Sequence, residues 1–165
     1  MVIARARARQ GDRTAAVAAV LQAEHELERS EPATEPLFIA YFGEADLADE
    51  RAHTFFDLGM LGEAQEQARI ALDRLAPSRV RRQAIDNALL ASTLARKKEL
   101  EEACSVGMRA VDCTAATASF RSVHRIMTML SHLQPHADLP IVRNLFDYAH
   151  HKLPASTPAL DLHLR

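Results

Sequence analysis

The stretch L-G-M-L-G-E-A-Q-E-Q-A-R-I-A-L-D-R-L-A-P, Leu58 to Pro77, decides the fold. Gly59 stands where a left-handed residue ends one helix, and Pro77 stops the next. Between them Ala64, Ala68, Ala71 and Leu75 recur at spacings of four, three and four, the period of one helix face. The same unit returns 39 residues later. Ala52 and Ala91, Phe55 and Leu94, Leu61 and Leu100, Glu63 and Glu102, Ala64 and Ala103, and Ala71 and Ala110 match at that distance. A weaker copy lies 48 residues upstream, pairing Ala4 with Ala52, Gly11 with Gly59, Ala16 with Ala64 and Ala23 with Ala71. Such self-similarity predicts stacked helical hairpins. Stacked hairpins build surfaces that bind other molecules and rarely build catalytic sites.

The rest of the chain reads outward from this unit. Residues 2 to 9 alternate Ala or Ile with Arg. Alternation alone suits a strand, but Ala and Arg are strong helix formers and the repeat match makes the stretch the end of a first helix. Gly11-Asp12 breaks it. Thr14 to Arg29 is the second helix, with Ala16, Val20, Ala23 and Leu27 on one face, and Ser30 to Pro36 is a loop. Phe38 to Leu58 is mostly helix, with a break at Gly43 and an inner face of Ala45, Ala48, Ala52 and Phe55. Glu63 to Leu75 is its partner.

Ser78 is the expected N-cap of a helix that reaches about Ala95. Arg96 to Lys98 replaces the glycine turn, and Glu99 to about Ala116 follows. In that helix Gly107 replaces Ala68, which favours close backbone approach at a propensity cost of about 1 kcal/mol. Ser119 to Leu133 is apolar at Phe120, Val123, Ile126, Met127 and Leu130. Pro140 suits the first position of a final helix reaching about Leu153. The reading is an all-α, right-handed array of antiparallel hairpins with seven or eight helices: one domain over residues 1–153, then a poorly ordered tail over 154–165. Leu160, Leu162 and Leu164 alternate in that tail.

Composition agrees with helix-on-helix packing. The chain is 48% hydrophobic but 5% aromatic, without Trp, and Ala and Leu supply most of the apolar mass. Small side chains let helices approach closely. The formal net charge is −2, so no overall basic field holds nucleic acid. Arg5, Arg7 and Arg9, then Arg79, Arg81 and Arg82, then Arg96, Lys97 and Lys98 form local basic spots that read first as helix-end and solvated-face charge. Arg79, Arg81 and Arg82 are the candidates for contact with an anionic partner. Cys104 and Cys113, nine apart, have no metal or redox spacing and suit small apolar residues of a reducing cytosol. No apolar run is long enough to span a membrane, and the N-terminus, with alternating Arg and no following hydrophobic block, does not read as a signal peptide.

The pattern Ala52, Ala64, Ala71 with a G-x-x-x-E-A turn resembles a tetratricopeptide repeat. Ala91, Ala103 and Ala110 keep the same distances of twelve and seven. The usual aromatic residue early in the first helix is missing and the repeat is longer than the standard, so the likeness is to a degenerate array. A narrower resemblance rests on Y-F-G-E-A-D-L-A-D-E-R-A-H (Tyr41 to His53), A-P-S-R-V-R-R-Q-A-I-D (Ala76 to Asp86) and L-S-H-L-Q-P-H-A-D-L-P-I-V-R-N-L (Leu130 to Leu145). These stretches look like segments of actinobacterial regulators in which an Xre-type helix-turn-helix precedes a tetratricopeptide-like region. The helix-turn-helix is absent here. The resemblance therefore implies the sensing and scaffold portion of such a regulator, as a fragment or a free-standing relative. It implies DNA contact only through a separate domain.

Candidate chemistry is sparse. His132 and His136 are four apart but straddle Pro135, His150 and His151 are adjacent, and no Cys or acid completes a ligand set. No G-x-S-x-G and no Gly-rich phosphate loop occurs. No cofactor and no catalysis are expected. On the first helix of the central hairpin, Asp49, His53 and Phe56 are one turn apart and would project away from the Ala52–Phe55 seam. Ala88, Ser92 and Ala95 are their counterparts in the next unit. Together they would line a groove for a peptide, partner protein or small molecule; alternatively, Phe56 packs on a neighbouring helix and the polar pair is only solvated. The expected end of the array shows Val2, Ile3 and Ala4, which an upstream repeat or a second copy should cover, so a homodimer is expected. The functional expectation is a cytoplasmic, non-catalytic interaction module of a transcriptional regulator. The alternative is a dimerisation scaffold without ligand.

Overall fold

The computed structural model describes residues 1–29, 42–117 and 119–153. The expected loop of Ser30 to Pro36, the start of the helix assigned from Phe38, and the tail of 154–165 lie outside them. The described residues form eight α-helices, a short 3-10 turn and no strand. They are α1 Val2–Arg9, α2 Arg13–Glu28, α3 Glu44–Asp57, α4 Leu61–Asp73, α5 Val80–Arg96, α6 Leu100–Thr117, α7 Phe120–Leu133 and α8 Pro140–Lys152, with the 3-10 turn Gln134–His136 before α8. The chain divides into two compact units, Met1–Leu75 and Ala76–Arg165.

In the first unit, α1 pairs with α2 and α3 pairs with α4, and α3 also packs on both helices of the first hairpin. The seams are made of the repeated alanines. Ala4, Ala16, Ala52, Ala64 and Ala71 are all 0% exposed, and only Ala23 of the aligned set is half-buried. Around them Val20 and Phe55 form an apolar cluster, with Met1, Phe56 and Met60 packed against it. The Ala/Arg alternation of α1 now has a cause. Ala4 and Ala8 face the seam, while Arg5 and Arg9, one position further round, reach Glu50 at 3.6 Å and Asp57 at 3.3 Å on α3. Ala4 is thus a core residue, whereas Val2 and Ile3 are 84% and 68% exposed.

In the second unit, α5 pairs with α6, α7 packs on both, and α8 packs on α6. Ala84, Ala91, Ala103 and Ala110 are 0% exposed in the α5–α6 hairpin. Thr54 and Thr93, another pair at the repeat distance, are also fully buried. Each hydroxyl donates to the carbonyl four residues back, which satisfies it without a partner helix. Gly107 is the close-approach point. A Cβ there would stand 2.8 Å from Leu145 Cδ2 on α8 and 3.3 Å from Met129 Sδ on α7. At the surface the Tyr148 hydroxyl donates to Asp112 at 2.6 Å and Lys152 lies 5.4 Å over the Tyr148 ring, tying α8 to α6.

The three hairpin turns are one structure written in two alphabets. Gly11 and Gly59 have φ of 76° and 73°, and Lys98 has φ of 66°. After α1, α3 and α5 the amide beyond this residue donates to the carbonyl five residues back: Asp12 to Arg7, Met60 to Phe55, Glu99 to Leu94. The left-handed residue itself donates three back, so each is a Schellman cap. Lys98 adopts a conformation that costs a residue with a Cβ about 1 kcal/mol or more.

Two local expectations change. The N-cap of α5 is Arg79 and not Ser78, because Ser78 is taken up by a turn in which Arg79 N–H donates to Ala76 O at 3.0 Å. Phe120 opens α7 at 87% exposure; the buried face of that helix is Ser122, Ile126, Met129, Leu130 and Leu133.

Two stability measurements follow. Lys98→Gly is expected to raise unfolding free energy by about 0.5–1 kcal/mol and Gly59→Ala to lower it by about 1–2 kcal/mol in urea titrations. Gly107→Val is expected to cost about 2–3 kcal/mol through overpacking, and a double-mutant cycle should show Leu145→Ala relieving part of that cost.

Candidate functional site

Each side chain expected to line a groove has a definite place. Asp49 and His53 are each 4% exposed, and His53 Nε2 lies 3.5 Å from Asp49 Oδ1. Phe56 is half-buried against the cluster of Ala4, Val20, Phe55 and Ala64. Ala88 and Ser92 are buried, and the Ser92 hydroxyl donates to Ala88 O at 2.7 Å. The first three belong to one compact unit and the last two to the other. Four of these five are thus buried and Phe56 is half-buried. On α3 the buried face takes in residues 46–49 and 52–55, so Asp49 and His53, one turn off the alanine seam, are enclosed as well.

Of the basic trio, Arg79 and Arg81 are exposed. Arg82 is engaged: its Nε donates to both carboxylate oxygens of Asp86, at 3.0 and 3.2 Å, and Asp86 is 1% exposed. Its guanidinium thus balances a buried carboxylate, whose removal from water is expensive without a partner.

The thiols are poor nucleophiles. Burial, then Glu101, pushes the Cys104 thiol up. Burial, then Asp112, pushes Cys113 up against the opposing pull of Arg109. Both therefore hold their protons at neutral pH. Among the described residues no three His, Cys, Asp or Glu side chains gather as metal ligands. His150 and His151 meet edge to face at 6.2 Å between ring centroids.

An open cavity does exist, on a face the sequence did not single out. It lies in the first unit, has a volume of about 300 Å³, and opens between the end of α2, the start of α3 and the end of α4. Its floor is Leu27, Leu47, Ala48 and Ile70, and Gln67 adds a buried amide. Its rim is charged. Arg51 pairs with Glu24 and Arg74 with Glu44, and Glu28 is a third carboxylate. The first pair is about three-quarters buried, while Arg74 and Glu44 keep 51% and 71% of their side-chain surface. The Arg51 guanidinium carbon also lies 6.0 Å from the Phe55 ring centroid, which places the cation near an aromatic face.

The helix periods announce the floor but not the rim. Leu27 continues the inner face of α2, whereas Glu24 and Arg51 are far apart in sequence and nothing in either helix names the other. Chemically the cavity offers an apolar bed and a charged edge. Among the described residues that line it, no nucleophile stands beside a general base.

Compared with known proteins, the chain matches no family model, no curated protein and no solved structure.

One titration is readable. His132, in the last turn of α7, is held below its ordinary value of 6.5 by burial first and Arg96 second. The folded form therefore resists a proton that the unfolded chain accepts. Stability is retained above about pH 6.5 and declines as pH falls toward the lowered value. Urea midpoints measured between about pH 7 and 5.5 should drop in the parent chain, and the drop should be smaller in His132→Leu.

Proposed function

We propose that this chain is a non-catalytic sensing and protein-interaction module, the regulatory part of a bacterial transcriptional regulator, working in the cytoplasm. The observation that carries this reading is the cavity between α2, α3 and α4: an apolar floor with an ion-paired rim, a combination suited to holding a ligand. The alanine-seamed hairpins support it. They consume small side chains inside and leave the longer side chains of the outer faces for recognition. The regulator assignment rests on the resemblance of residues 41–53, 76–86 and 130–145 to segments of Xre-type proteins, where DNA contact belongs to a separate domain.

A second reading, a homodimeric scaffold without ligand, draws on exposed apolar side chains: Val2, Ile3, Leu21 and Phe120 are 84%, 68%, 59% and 87% exposed. Scattered exposed apolar residues are ordinary, so this reading ranks second.

Thermal unfolding in the presence of peptide pools and metabolite pools separates the two. A ligand at about 100 times its Kd adds about 2.7 kcal/mol and an upward shift of the midpoint. A midpoint unmoved by every pool, with twice the monomer mass in light scattering, would replace the binding module with the scaffold.

A further inference from the structure

The cavity of the first unit has a chemical preference that can be read from its edge, and this step rests on the binding-module reading. Among the described residues three carboxylates and two guanidiniums line it, an excess of one negative charge. Glu24 is held by Arg51 and Glu44 by Arg74, while among the described residues no cation pairs with Glu28. Helix ends add to the sign. Leu27 and Glu28 close α2, and Ile70 and Arg74 stand at the end of α4, so two helix C-termini, with their partial negative charge, face the cavity. Only α3 presents its N-terminus, and Glu44 already answers it.

An anionic ligand would have to displace a carboxylate from its arginine and then meet the remaining acids. A wholly apolar ligand would strip water from the rim and give nothing back. An aliphatic stem ending in a cation meets both demands: methylenes lie on Leu27, Leu47, Ala48 and Ile70 while the head stays at the wet, acidic edge. The volume of about 300 Å³ is at the small end for ligand cavities. It suits one long side chain of a larger molecule, whose neighbouring residues can rest on the exposed helix surface.

The geometry points to a docking site for a partner polypeptide that inserts a lysine or arginine side chain, with Glu28 as the principal counter-charge. The probe is the fluorescein-labelled peptide Ala-Leu-Lys-Ala-Ala-Leu-Lys-Ala, titrated by anisotropy against the full chain, with a counterpart carrying Glu in place of each Lys. Saturable binding of the Lys peptide is expected, weakened at least about tenfold by Glu28→Lys and by less than about twofold by Glu26→Lys. Glu26 is exposed on the same helix but does not line the cavity, so its reversal controls for overall charge. Equal losses in the two variants, equal binding of the Glu peptide, or no saturation with the Lys peptide would overturn the site. Competition by 1,5-diaminopentane as strong as that of unlabelled peptide would overturn the polypeptide partner. A thermal shift from some other ligand, unchanged in Glu28→Lys, would keep the binding module while removing this groove.

Discussion

The closeness of paired helices is the constraint on which both units depend. Two helices can lie with backbones nearly touching only where the facing side chains are no larger than a methyl group. Ala64 and Ala71 supply that on α4, Ala103 and Ala110 on α6. Everything else is arranged around the fact. Large apolar residues such as Leu94, Ile126 and Leu145 fill the spaces beside the seams, and buried hydroxyls such as Thr54 and Thr93 fold back onto their own helix. A seam of small residues carries little hydrophobic stabilisation per side chain, so the fold relies on many such contacts and on well-formed turns between them.

Those turns show how tolerant the plan is. Gly11 and Gly59 occupy a left-handed position without strain, and Lys98 occupies the same position with a side chain. The cap hydrogen bonds are the same in all three, so the geometry survives while the sequence signal for it fades. A reader guided by glycine sees two turns and a substitution. The backbone has three equal turns. In the same way Gly107 looks like a small variation on Ala68 until α8 is in place, and then Leu145 explains why even a methyl group is crowded there.

The cavity between α2, α3 and α4 arises from the same architecture. Alanine seams bring helix ends together, and helix ends carry unsatisfied backbone charge that selects for particular side chains. Among the described residues the glutamates and arginines at this edge partly cancel each other, leaving an acidic excess above an apolar floor. By contrast Asp49 and His53, which look like recognition residues on a helical projection, are enclosed and paired. The polar side chains of this protein thus divide into those that stabilise buried surfaces and those that border an open one, and residue type does not separate the two groups.

What the sequence determined by itself is local and periodic. The spacing of Ala52, Ala64 and Ala71 and of Ala91, Ala103 and Ala110, the breaks at Gly11 and Gly59, and the proline at the start of α8 follow from helix geometry and are legible one turn at a time. What only the tertiary structure decided is which distant groups meet. Arg5 with Glu50, Arg51 with Glu24, the Tyr148 hydroxyl with Asp112 and the crowding at Gly107 join residues that no common period links. Helical periodicity tells a residue which side of its own helix it occupies. Burial of a charge, or its exposure at a rim, depends on what another helix places opposite, and that is settled only when the helices pack.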